Sequence, residues 1–324
     1  MNTTPPTFWI GSVPIYGDLI LAPMDGITDS PFRLSLRRLG SAASVSEFIN
    51  AMDYSCHHPH LEDRLVFTEE ERPFGYQILD CDVDRLVQLA SFLLLRRPDF
   101  IDVNLGCSAH KVAARGAGAG MLKNPSQIAD LFKRLTKILD IPITGKIRLG
   151  WDEEHHNYLE IARIIEDNGG KAIAVHGRTR KQMFNGQADW DAIAEVKQAV
   201  SIPVIANGDV QSVADIDRIK QVTRCDAVMI GRAAIANPWL FSRRDRNEVT
   251  PTEVFSFGKD CLQNLITRYD SKLGLILFRK FASRLIAPYH PDVQIRKELL
   301  TETDPQKFLK SFEQIVLVGS SPAK

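Results

Sequence analysis

The chain reads as an α/β protein, a TIM (β/α)8 barrel followed by a small C-terminal all-helical domain. Three observations predict this. Eight short apolar runs recur between residues 18 and 231, each followed by a polar or glycine-containing turn and an amphipathic stretch. Successive runs lie 24 to 42 residues apart, close to the roughly 30 residues of a βα unit, and eight such units make a barrel. Beyond Phe241 the alternation stops and the pattern turns helical. A doubly wound sheet is the competing architecture, but the first run lacks the GxGxxG turn that such sheets often carry.

The first strand is DLILAP (18–23). Asp29, Ser30 and Pro31 then open a helix with a capping carboxylate and a proline in the first turn, and Gly40 closes it. SVSEF (44–48) and FGYQI (74–78) follow as strands two and three. FIDVNLG (100–106) leads into a loop over 106–123, far longer than the ~2–6 residues of an ordinary βα connection. Asn124, Pro125 and Ser126 open the next helix. IPITGKIR (141–148) is strand five, and a helix from near His156 ends at Asn168, Gly169 and Gly170. KAIAVHG (171–177), PVIANG (203–208) and DAVMIG (226–231) complete the eight. Residues 243–254 are polar and contain a proline, and read as a linker; 252–318 are helical in pattern. The expected domains are a barrel over 1–242 and a helical domain over 250–324.

Composition narrows the class. Hydrophobic residues at 44% and charged residues at 25% are globular proportions, which exclude a largely disordered chain. Forty Lys and Arg balance forty Asp and Glu, which excludes a uniformly basic nucleic-acid coat but not a local basic patch. The five cysteines are odd in number, widely spaced and without a CxxC. Neither a disulfide framework nor a metal site is expected, and reduced thiols in a cytoplasmic protein are. No apolar run approaches the ~20 residues of a membrane span, and the first 24 residues carry no Lys or Arg, unlike a secretory signal.

Two segments end the last two strands: Asn207, Gly208 and Asp209, and Gly231 and Arg232. The loops after strands seven and eight of a barrel frequently bind phosphate. Glycine lets backbone N–H groups approach an anion, and Arg232 adds a bidentate donor. Taken singly, each glycine also fits an ordinary turn; as a pair at corresponding strand ends they point to phosphate. Gln77, Lys146 and His176 are polar residues in strands that should be apolar. Taken alone, His176 fits a hydrogen-bonded core position as well as a binding role and Gln77 fits the core position better, but an unpaired buried ammonium is costly, so Lys146 is placed at the barrel mouth with Arg148 on the same side of the strand. Convergence of the three from different strands marks a binding site.

Cys107 follows Asn104, Leu105 and Gly106 at the end of strand four. The loop then runs SAHKVAARGAGAGML, with glycines at 116, 118 and 120. A thiol with an unperturbed pKa near 8.5 is mostly protonated at neutral pH, and can act as nucleophile, general acid or an inert small hydrophobe. Cys225 and Cys261 sit in apolar contexts that suit the last. The glycine-rich surroundings of Cys107 suit a substrate-facing loop.

Taken together, LAPMDGITDSPFR (21–33), DVNLGCSAHKVAARGAGAGML (102–122), GKIRLGW (145–151), HGRTRKQMFNGQADW (176–190), PVIANGD (203–209) and DAVMIGRAAIANPWLF (226–241) resemble the FMN-dependent tRNA-dihydrouridine synthases, in that family's order. The resemblance implies a TIM barrel with a helical RNA-binding domain, and reduction of the C5–C6 double bond of uridines in tRNA by NADPH through bound FMN. Position by position, Pro23, Met24, Asp25, Gln77, Lys146 and His176 match flavin-contacting positions. Asn207, Gly208, Asp209, Gly231 and Arg232 match the FMN phosphate site, and Cys107 matches the catalytic cysteine. Asn104, Arg148, Arg178, Arg279 and Lys280 are the implied substrate contacts. Ser108 stands where the family usually has Pro, and Phe281 where many members have His after the Arg279 and Lys280 pair. In the implied reaction, hydride reaches C6 from reduced FMN and Cys107 protonates C5 from the other face.

Residues 250–324 hold 11 Lys and Arg against 8 Asp and Glu, so a basic docking surface for tRNA is expected there, although a solvated helix face has the same look. A monomer is expected. An FMN barrel oxidoreductase acting on a small molecule, an RNA-binding module without activity, and the same reaction on ribosomal RNA are the competing readings.

Overall fold

The computed structural model describes residues 5–289 and 292–319, which fall into two compact units, 1–231 and 232–324. Residues 290, 291 and 320–324 of the expected helical domain lie outside the described residues.

In the first unit eight parallel strands form the barrel: β1 (Leu19–Leu21), β2 (Ser44–Val45), β3 (Phe74–Leu79), β4 (Phe100–Leu105), β5 (Ile143–Arg148), β6 (Ala172–His176), β7 (Val204–Asn207) and β8 (Ala227–Ile230). Each strand from β2 onward pairs with the next, and β8 pairs with β1. At the remaining seam, between β1 and β2, Ala42 N–H donates to the Leu19 carbonyl at 2.7 Å and Leu21 N–H to the Ser41 hydroxyl at 3.1 Å. The barrel is therefore nearly closed.

All eight strands stand where the sequence places them, with β2 shorter than expected. Its ladder breaks after Val45 because the Ser46 hydroxyl, rather than a carbonyl, accepts from Gln77 N–H at 3.0 Å. Pairing with β3 resumes only at Ile49–Asn50.

Helices between the strands bury one face each. Pro125–Ile138 covers Ile128, Leu131, Phe132 and Leu135, the i, i+3, i+4, i+7 stripe of a core-facing helix. Asp29 caps Ser30–Arg38 by accepting from Phe32 N–H at 3.2 Å. Gly75 is a packing requirement, because a Cβ there would lie 2.2 Å from the Phe100 ring.

An N-terminal hairpin, Phe8–Ile10 paired antiparallel with Val13–Ile15, was not legible in the sequence. Its Phe8, Ile10 and Ile15 pack against Ala42, Ala172, Ala174, Ile205 and Ala227. Small side chains near the strands' N-terminal ends leave room for the hairpin to plug that end of the barrel. Each buried Ile or Phe contributes about 1.5–3 kcal/mol. The opposite end is left to polar groups.

The second unit is helical: Pro251–Arg268, Ser271–Leu285, Val293–Thr301 and Pro305–Glu313 follow shorter turns. Phe278 meets Phe308 and Phe312 edge-on at 5.8 and 6.0 Å. Gly258 admits the Phe312 ring, which a Cβ would approach to 2.6 Å. The stretch 243–254 is not the open linker its polarity suggests. Arg244 binds Glu253 through two bonds of 2.6 and 3.1 Å, and Thr250 and Glu253 form a reciprocal cap on Pro251–Arg268. Among the described residues no helix is long and apolar enough to cross a membrane.

Candidate active site

Side chains two apart on a strand share a face, so the inward face at the C-terminal ends of β3–β7 carries Gln77, Asp102, Asn104, Thr144, Lys146, Arg148, His176 and Asn207. The register puts Asn104 beside Lys146, and Arg148 beside His176, itself opposite Asn207. The barrel thus brings together most of the candidates its sequence offers from separate strands.

Lys146 is half-buried. Its ammonium donates to the Asn207 amide oxygen at 3.2 Å, and Asn207 donates to the Met229 carbonyl at 2.7 Å. Burial first, and then the Arg148 charge, push Lys146 down to about 8, while Asp102 and Cys107 pull the other way. The Asn207 side-chain amide is thereby engaged at both ends, by Lys146 and by the Met229 carbonyl.

The two inner arginines tie loops together. Arg148 donates to the carbonyls of Gly106 (2.9 Å), Thr179 (2.8 Å) and Met183 (2.8 Å), and lies over the Phe184 ring at 5.6 Å. It bridges the Cys107 loop to the loop after β6. Arg178 is 2% exposed. It donates to Asp209 and Gly186 at 2.6 Å and to Asn185 at 3.1 Å, with its other nitrogen 3.5 Å from His176 Nε2.

Asp209 also accepts from Ala188 N–H at 2.6 Å, so its carboxylate faces Arg178. Gly208 has φ +129, and a Cβ there would strike Ala188 at 2.7 Å; only glycine lets β7 turn here. At Gly231 an added Cβ would sit in ordinary contact with the Ala22 and Met24 side chains, at 3.6 and 3.7 Å. Arg232 is exposed at the start of the second unit.

The loop after β1 is held by one bond of its own and by two to Glu47 and Arg64 outside it. Met24 N–H donates to the Thr28 hydroxyl at 2.9 Å, Ile27 N–H donates to Glu47 at 3.1 Å, and Asp25 pairs with Arg64 at 2.6 Å.

Cys107 is half-buried at the end of β4. Burial pushes its thiol up, and the Ala109 N–H opposes this. The loop that follows is packed rather than open: Ala117, Ala119, Met121 and Leu122 are buried. Gly118, at φ +57, turns against the cysteine, and a Cβ there would lie 2.8 Å from Cys107 Cβ.

Arg279 and Lys280 belong to the helical unit. Arg279 donates to the Glu302 carbonyl at 2.7 Å, and Lys280 lies 5.0 Å from the Phe281 ring.

Sequence reading overlooked Asp102 and Thr144. Asp102 accepts from Gln77 at 2.7 Å and from Thr144 at 2.6 Å. The signal was present: Asp102 precedes Asn104 by two, on the same face of an otherwise apolar strand. Phe184, under Arg148 and 6.2 Å from the His176 ring, lies in a loop with no period to flag it.

The donor set suits an anionic, planar, hydrogen-bonding group. Lys146 offers a positive charge whose one hydrogen bond among the described residues runs to a neutral amide. Amides line the same wall.

Comparison with known proteins agrees with this chemistry. The family model described as dihydrouridine synthase (Dus) matches residues 20–318. The chain is 34% identical to tRNA-dihydrouridine synthase B of Pasteurella multocida over 316 residues, covering 94% of each protein. It is 36% identical to the protein of that name from Pseudomonas aeruginosa over 307 residues, covering 92% of each. It is 35% identical to the one from Shewanella oneidensis over 311 residues, covering 94% of this chain and 93% of that one.

Proposed function

Because the chain belongs to the dihydrouridine synthase family, a family of flavin-dependent oxidoreductases, we propose that it reduces the C5–C6 double bond of uridines in tRNA, with FMN at the barrel mouth and NADPH as reductant. The observation that carries the reading is the shared mouth: the Cys107 loop and the Lys146 ammonium stand at the C-terminal ends of adjacent strands, β4 and β5, and Arg148 bonds the carbonyl of the residue before the cysteine. Bound flavin supplies hydride chemistry. The chain's own residues do the rest.

Cys107 holds the proton destined for C5. Burial keeps its thiol above the ordinary range, so at neutral pH it is a proton donor rather than a thiolate, a general-acid role worth about 10²–10⁴-fold. Lys146 supplies positive charge where electron density gathers. Lys146, Gln77, His176 and the loop at 23–25 would line the flavin, and the backbone at Gly208 and Gly231 would hold its phosphate. A uridine must leave its stack to reach this depth, at a cost of a few kcal/mol.

The experiment is Cys107→Ala assayed on unmodified tRNA. The variant retains the yellow flavin spectrum and NADPH oxidation but loses dihydrouridine. Near-full product formation would overturn the assignment of the thiol. Turnover of free uridine as good as that of tRNA would favour a small-molecule oxidoreductase instead.

A further inference from the structure

Asp102 contributes no atom to the assignments above, yet it is buried level with Gln77 and Thr144 and begins a chain of hydrogen bonds with a fixed direction. Its two carboxylate oxygens accept from Gln77 Nε2 at 2.7 Å and Thr144 Oγ1 at 2.6 Å. A carboxylate only accepts, so Gln77 must present its amino group to Asp102 and its oxygen away. That oxygen accepts from Asn104 Nδ2 at 2.8 Å. Asn104 in turn has its oxygen directed outward, where it accepts from the backbone N–H groups of Gly106 at 3.1 Å and Cys107 at 2.9 Å. A flip of either amide would face acceptor against acceptor at one end and donor against donor at the other. All three side chains are buried, at 8% exposure or less, so a broken link would leave an unpaired polar group costing about 1–3 kcal/mol. The Asp102 oxygens at one end and the Gly106 and Cys107 N–H groups at the other thus fix both amide orientations, and the backbone that carries the thiol is tied to Asp102.

We infer that Asp102 is a positioning residue for the reaction: by orienting Gln77 and Asn104 it fixes the Cys107 backbone and so the line along which the thiol delivers its proton. The inference rests on the proposed role of Cys107 and adds to it. Gln77 and Asn104, matched by resemblance to flavin and substrate, acquire a second duty as the two middle links. Gly118, which leaves space against Cys107 Cβ, and Arg148, which holds the Gly106 carbonyl, press on the same segment from other sides. The relay supplies its hydrogen-bond anchor.

The test separates the half-reactions of the flavin-loaded enzyme. NADPH reduces the flavin in one, and unmodified tRNA reoxidises it anaerobically in the other. In Asp102→Ala, reoxidation by tRNA slows roughly 10²-fold, the loss expected of a small misplacement of a reacting group, while reduction by NADPH stays within about twofold. Asp102→Asn keeps one neutral oxygen for Gln77, a weaker acceptor than a carboxylate, and shows the same selective loss at about tenfold. It decides the matter if the alanine variant does not retain flavin. Alkylation of Cys107 by iodoacetamide, followed by peptide mass spectrometry, becomes faster in the variants because the segment loosens. Reoxidation at the parent rate in a variant that holds flavin, equal slowing of both half-reactions, or unaltered alkylation would each overturn the inference. If the parent itself is not reoxidised by tRNA, the proposed function fails, while the alkylation comparison still reports on the relay.

Discussion

At the scale of single residues the mouth is a set of charges held at some cost. Lys146 is held at about 8 against 10.5 for a free lysine, by burial first and the Arg148 charge second. Its folded value lies below its unfolded value, so between these limits the unfolded chain binds more protons. The charged lysine therefore opposes folding below about 8, and stability rises as pH climbs through that window. In flavin-free protein, Lys146→Met should raise stability at pH 7 by about 1–3 kcal/mol, and the gain should shrink toward pH 10. Urea unfolding of variant and parent at both pH values measures this. The same substitution should weaken flavin binding, since the charge is spent on a partner rather than on the fold. Gly118 makes a second residue-level prediction. Alanine there combines a left-handed φ of +57 with a contact of 2.8 Å to Cys107 Cβ. Gly118→Ala should therefore retain flavin absorbance but form dihydrouridine at least about tenfold more slowly, the effect of displacing a reacting group. Parent-level product from this variant would show that the loop yields without moving the thiol.

At the scale of elements, a buried ion pair decides how the loop after β1 is held. Arg33 donates to Glu71 at 2.6 Å and to the carbonyls of Thr28 and Val66 at 2.8 Å, and Glu71 accepts further from Ser30 and from Thr68 N–H. Both side chains are at most 2% exposed. Removing one partner of such a pair strands the other, typically at about 3–5 kcal/mol. Arg33→Met should lose stability of that order, and Arg33→Met with Glu71→Gln should lose less, because no carboxylate is left stranded. Urea midpoints of the two proteins compare them directly, and a double variant less stable than the single would refute the stranded-charge account. No sequence period reveals this pair, whose members lie 38 residues apart. The strands were legible because eight apolar runs with turn residues at regular spacing are a local signal, and so were the helix starts at Asp29 and Pro125. The N-terminal hairpin was not, since its worth comes from alanines distributed over β6, β8 and the segment before β2. The polar stretch 243–254 misled for the same reason, its order resting on the Arg244 and Glu253 contact. Within the site, Lys146 and His176 stood out as polar residues in apolar strands. Asp102 gave the same signal but has meaning only beside Gln77 and Thr144, which the register supplies.

For the whole molecule, a neutral total hides a division of charge. Residues 232–324 carry 15 Lys and Arg against 10 Asp and Glu, and residues 1–231 carry 25 against 30. By net charge the second unit is the one that would attract a polyanion, and its cations are not equivalent. Arg279 is committed to the Glu302 carbonyl at 2.7 Å, joining the helix Ser271–Leu285 to the end of Val293–Thr301. Arg284 and Lys297 are exposed. If these exposed cations neutralise tRNA phosphates, each releases counterions on binding and adds to the salt dependence. Arg284→Gln and Lys297→Gln should each weaken tRNA binding at low salt and reduce the slope of log affinity against log salt by about 1. Arg279→Gln should chiefly lower the urea midpoint and leave the slope alone. Filter-binding titrations between about 50 and 200 mM salt resolve such slopes, the range over which several phosphate contacts cost about 10³–10⁵ in affinity. A slope unaltered by the two exposed substitutions would move RNA docking off these helices and onto the cations around the barrel mouth.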